Sequence, residues 1–171
     1  PEEMAKFWTD FINGHIPNFR KSPYDQIDNY VRDCWEAIVS TAKWAEKDLP
    51  GVLDAVKPDM VCVDNVILFP AIKRYAQKHK KPWVRVISCS ENEIDDPGIP
   101  PHLSGCGASD TKCFAKFRKR FDAVIKPIHD DFNAFLKTCG EATYPLPQFF
   151  EASPHLNLLL YPEPLKYARK N

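Results

Sequence analysis

Net charge is absent from this sequence, with 23 Lys and Arg against 23 Asp and Glu. A chain without a net field lacks the basic footprint of a general nucleic-acid binder and the charge excess of a disordered tail. Long apolar runs are missing too: stretches such as 65–72 and 156–162 fall far short of the roughly 20 residues that span a bilayer. Glycine is scarce, with 6 in 171 residues. No Gly-rich loop of the P-loop or dinucleotide type occurs, so the chain by itself announces no nucleotide site. No Gly-x-Ser-x-Gly elbow surrounds Ser88 or Ser90, which argues against the hydrolase template. No Asn-x-Ser/Thr acceptor is present, and the six cysteines (Cys34, Cys62, Cys89, Cys106, Cys113, Cys139) include no Cys-x-x-Cys pair. They read as reduced and mostly buried thiols, and the chain as cytoplasmic. His102, Cys106 and Cys113 lie close together, but their spacing fits no zinc pattern, so neither a metal nor a resident cofactor is expected.

What is there suffices for a packed core, since a chain of this length buries about 70% of the surface it exposes when unfolded. Ile27, Val31, Cys34, Trp35, Ile38 and Ala42 form the stripe of an amphipathic helix over 22–49, with Ser22 as its N-cap and Pro23 at the first helical position. Pro50-Gly51 punctuates. Lys57-Pro58-Asp59 then precedes the run Met60-Val61-Cys62-Val63, which has no polar face and reads as a buried parallel strand. A helix over 69–79 follows, then a strand over 83–87 that ends at Ser88-Cys89-Ser90. Alternating helices and strands indicate an α/β domain with a parallel, Rossmann-like sheet. The Pro- and Gly-bearing stretch 91–110 is long enough to suspect function. Phenylalanines 114, 117, 121, 132 and 135, with Val124, Ile125 and Ile128, mark a long helix that Pro127 kinks or splits. Residues 141–154 are loop-like, and 156–161 form a last buried strand.

In open parallel sheets ligands bind beyond the carboxyl ends of the strands. Asp64 ends one strand, where a carboxylate is partly desolvated and needs a partner or a reaction; a loop-capping Asp is the competing reading. Ser88 and Ser90 end the next strand and open into the same crevice. Asp95, Asp96 and Glu93 read as decoration of an exposed loop. The cluster Lys116, Arg118, Lys119 and Arg120 alternates with Phe114, Phe117 and Phe121, as the solvated face of a helix does. The remaining histidines (His15, His79, His129 and His155) have no motif around them.

The stretch Lys57-Pro58-Asp59 through Asp64 to Pro70-Ala71, followed by Lys81-Pro82 and the strand to Ser88, resembles the N-terminal half of UDP-dependent glycosyltransferases of family 1. Pro100-Pro101-His102-Leu103-Ser104-Gly105 and the segment 156–165 are similar to the same family. The resemblance implies two facing Rossmann-like domains, the first for the acceptor and the second for the UDP-sugar, with inversion at the anomeric carbon. Residues 1–171 would then be a partial acceptor-binding domain. The chain opens Pro1-Glu2-Glu3 with no initiator Met or leader and reads as an excerpt. The family's catalytic histidine is not carried onto His15, which lies too close to Asp64 in sequence, and the donor signature is missing, so this chain alone is expected to be inactive. By the resemblance, Asp64 orients that histidine and Ser88 and Ser90 lie near the transferred sugar. Asn65, Ile67, His102 and Phe149, with Phe150 and the 91–110 loop, face the acceptor. The implied partners are a small lipophilic acceptor and a UDP-sugar, without nucleic acid or a membrane segment; absent strands would leave apolar faces open and favour self-association. A non-catalytic α/β binding module is the alternative.

Overall fold

The computed structural model describes residues 2–64, 66–88, 91–162 and 167. Asn65, Cys89 and Ser90, each singled out above, lie outside the described residues.

The chain opens with helix α1 (Glu2–His15), whose 14 residues include none that is buried. A short 3-10 turn leads to Ser22, whose hydroxyl accepts from the Asp25 amide as the expected cap, with Pro23 beside it. Helix α2 (Pro23–Gln26), a π-helical turn (Ile27–Val31) and α3 (Arg32–Ala45) follow without interruption. Pro50-Gly51 does not break the chain here: both residues sit in the first turn of α4 (Leu49–Val56), where the missing proline N–H costs nothing. That helix ends in the left-handed conformation at Lys57, φ 52°.

Strands β1 (Val61–Asp64), β2 (Trp83–Ile87) and β3 (Leu156–Leu159) form a parallel sheet in that order. Helix α5 (Pro70–His79) makes the crossover between the first two. The long α6 (Thr111–Thr138) lies between β2 and β3, capped by the Asp110 carboxylate on the Cys113 amide, and it runs unbroken through Pro127.

The register Cys62–Val84–Leu156 and Asp64–Val86–Leu158 defines one sheet face, and Val61–Trp83 with Val63–Arg85–Asn157 the other. The second face packs Val63 and Trp83 on Leu53, Ile72, Tyr75 and Ala76. On the first, Val84 is buried and Val86 half-buried, while Cys62, Asp64, Leu156 and Leu158 are exposed. The expected two-sided burial of β1 and β3 is therefore corrected: each is an edge strand with an outward row facing solvent. A second apolar cluster joins α3 and α6 through Val39, Ala42, Ile125, Phe132 and Leu136, with Phe149 from the returning loop. None of the described helices is long and apolar enough to cross a membrane.

The cysteines also depart from expectation. Cys106 and Cys113 form a disulfide, Cys62 is exposed, and Cys34 and Cys139 are half-buried. The bond takes both cysteines out of the set of thiolate metal ligands.

Candidate functional site

Two features lie beyond the carboxyl ends of β1 and β2, a side-chain pair and a cavity whose lining includes neither Asp64 nor Ser88. At the strand ends themselves, Ser88 Oγ donates to Asp64 Oδ2 at 2.7 Å, and the Val66 amide donates to Asp64 Oδ1 at 3.2 Å. The register pairs Asp64 with Val86, two residues before Ser88, so the two side chains leave the same face and a short hydroxyl reaches the carboxylate. Asp64 thus caps its own loop, as the competing reading has it, and also accepts from a serine hydroxyl. It is exposed, not desolvated as the apolar run before it suggested, because it ends an outer strand of the described sheet.

Behind these strand ends lies a cavity of about 350 Å³. Val66, from the segment after β1, and Asn92 to Asp95, from the segment after β2, form one wall. Phe117 and Phe121 of α6 and Trp35 of α3 form another, and Phe149 and Phe150 close it from the returning loop. Trp35 and Phe149 stack with ring centroids 4.2 Å apart and planes 14° from parallel. The helical spacing of Phe117 and Phe121 puts both rings on one face of α6. A largely aromatic hollow with a few placed polar groups is the usual make-up of a small-molecule pocket.

The ionisable ones among them are Glu93, Asp95, His102, Arg118, Asp122 and Glu151, beside the amides of Asn92 and Gln148. Arg118 is not on a solvated face: its Nη2 donates to Asp95 Oδ1 at 2.8 Å, to the Asp96 carbonyl at 2.9 Å and to the Ile99 carbonyl at 3.1 Å. It clasps the 91–110 loop against α6, and the Cys106–Cys113 disulfide ties the same loop one turn earlier. Two of its basic neighbours serve the fold as well. Lys116 lies over the Tyr24 ring and Arg120 pairs with Asp28. The loop acids are likewise structural: Asp96 is 2% exposed, with its carboxylate on the Gly98 amide, and Glu93 lines the cavity.

Burial lowers the His102 pKa to about 4 and leaves its Nδ1 without a hydrogen-bond partner. The imidazole is therefore neutral at physiological pH, because a desolvated ring disfavours its charged form. Of the residues expected to face an acceptor, His102 and Phe149 line this cavity. Ile67 does not; it lines a separate hollow of about 40 Å³ under α5, too small for more than a water.

The other histidines are held elsewhere: His15 by Asn18 and Asp33, His79 by Asp54, and His129 by the Gln148 carbonyl. His155 Nδ1 faces the Trp83 amide at 3.5 Å. Among the described residues no group of three or more His, Cys, Asp or Glu side chains is placed to hold a metal ion. The cavity residues that sequence reasoning missed include Trp35, Phe117, Phe121 and Asp122, with Arg118, Gln148 and Glu151. Periodicity marked the three aromatics only as core, and a helix-borne Asp among basic residues carries no signal of its own.

No family model and no curated protein sequence matches this chain.

Proposed function

We propose that this chain is the acceptor-binding part of an inverting UDP-glycosyltransferase that transfers a sugar to a hydroxyl of a small lipophilic compound. The observation that carries the reading is the aromatic cavity beyond the carboxyl ends of β1 and β2, with the Asp64–Ser88 pair at the same strand ends. The sequence resemblance at 57–88, 100–105 and 156–165 supports the same assignment.

An acceptor hydroxyl is a weak nucleophile at neutral pH. A histidine that takes its proton as the oxygen attacks the anomeric carbon contributes about 10²–10⁴-fold, while UDP departs from the opposite side. Asp64 fits the role of the carboxylate behind that base. Its two oxygens have about four lone-pair sites, of which Ser88 and the Val66 amide use two. A site remains for an imidazole N–H, which would fix the tautomer and stabilise the imidazolium. None of the five histidines of the sequence is hydrogen-bonded to Asp64, so in this proposal the base and the UDP-sugar site come from other parts of the polypeptide and the isolated chain is inactive. The disulfide favours an oxidising compartment over the cytoplasm.

The test is acceptor-dependent UDP release by a polypeptide that joins this sequence to a donor-binding half. Asp64→Asn is expected to lower turnover by about 10²–10⁴-fold. Equal turnover by the variant reduces Asp64 to a loop cap, and no turnover with any sugar donor favours the non-catalytic binding module.

A further inference from the structure

The polar groups of the cavity are not equally committed. Glu151 pairs with Lys73 at 2.7 Å, and Arg118 is held by Asp95 and two backbone carbonyls. Asp122 is uncommitted, as is the neutral His102 ring, and of these two it is the one that carries a carboxylate. It stands one helical turn after Arg118 on α6 and lines the cavity. It makes no hydrogen bond and no ion pair among the described residues, and its Oδ1 is buried without a partner. Burial pushes its carboxyl up, the charge of Asp95 adds to the rise, and Arg118 opposes it.

A carboxylate oxygen shut into an apolar hollow without a donor bears a desolvation cost that only an arriving donor relieves. The ring faces are already engaged, Trp35 stacked on Phe149 and Phe150 under the Arg85 guanidinium, so the choice between donors and acceptors falls to the carboxylate. A ligand carboxylate in the same place meets Asp122 and Asp95 with a like charge, while Arg118 is already occupied.

We infer that Asp122 determines the specificity of this cavity: it receives the hydroxyl or ammonium donor of a lipophilic ring compound and rejects the carboxylate of the same shape. The inference rests on the reading of the cavity as an acceptor pocket and names the class of compound it admits.

The test is calorimetric titration of the whole chain at neutral pH with four probes that share one ring body: a naphthol, naphthylmethylammonium, naphthoate and methylnaphthalene. The naphthol, the ammonium or both are expected to bind at least about tenfold more tightly than naphthoate, the range of a hydrogen bond to a charged group. Asp122→Leu is expected to erase that difference while methylnaphthalene keeps its affinity. Asp122→Asn, which is isosteric and serves if the leucine variant does not fold, keeps a carbonyl acceptor but loses the charge. It therefore keeps naphthol binding above that of methylnaphthalene and loses the ammonium preference, which separates the two sources of the donor. Naphthoate bound as tightly as both donors, or a preference that survives Asp122→Leu or an ammonium preference that survives Asp122→Asn, overturns the inference. Methylnaphthalene binding in those cases leaves the acceptor-pocket reading intact. Failure of all four probes to bind the folded chain overturns both.

Discussion

His102 is the residue whose chemistry departs furthest from what its position in the sequence indicates. In solution an imidazole titrates near 6.5; burial here takes His102 to about 4. Between those two values the unfolded chain binds a proton that the folded chain does not, so stability falls as the pH drops through that window and is fully present above it. The expected loss by about pH 4 is on the order of 2–3 kcal/mol. Chemical denaturation across this range checks it, and the His102 ring signals in NMR should titrate near the lower value; a midpoint near 6.5 would show that the ring is solvated. Asp64 and Ser88 were legible from the sequence because a strand followed by a polar residue is a local pattern. Asp122 was not, because its isolation depends on Arg118 being engaged by a loop some twenty residues earlier in the chain.

At the scale of elements, the 91–110 loop is held to α6 by two devices, the Arg118 hydrogen bonds and the Cys106–Cys113 disulfide. Replacing Arg118 with Met keeps most of the apolar stem and removes the three bonds, leaving two backbone carbonyls without this donor. The expected cost is about 2 kcal/mol in global stability. Hydrogen exchange should report it locally, with faster exchange of the amides of Gly98 and Ile99, which now donate to Asp96. Unchanged exchange there would mean that the disulfide alone holds the loop. Helices α3, α5 and α6 were legible because their apolar spacing repeats. Helix α4 was obscured by Pro50-Gly51, whose place in a first turn is helical but whose dipeptide signal is a break.

For the whole molecule, the exposed sheet face governs behaviour in solution. Cys62, Leu156 and Leu158 follow the strand register across it, with Leu160 beyond at 61% exposure. Exposed apolar side chains of this kind, on the outer strands of the described sheet, favour association with their like. Sedimentation at tens of micromolar is expected to give a mass above the 19.6 kDa of one chain. Leu158→Lys together with Leu160→Lys should return it towards that mass, since a charge on a sheet face opposes pairing. A wild-type chain that sediments as a monomer would show that the face is tolerated in water.

The sequence by itself determined the α/β alternation, the cap at Ser22, the strand ends at Asp64 and Ser88 and the long helix of phenylalanines. All of these follow from periodicity and from residue chemistry within a few positions. Only the tertiary structure decided which face of each strand is covered, that Cys106 meets Cys113, that Arg118 turns inward and that five aromatic rings enclose a cavity with Asp122 in its wall. Those outcomes depend on the packing of segments far apart in the chain, and one apolar pattern serves equally for a buried strand and for an edge strand whose outer side is open to water.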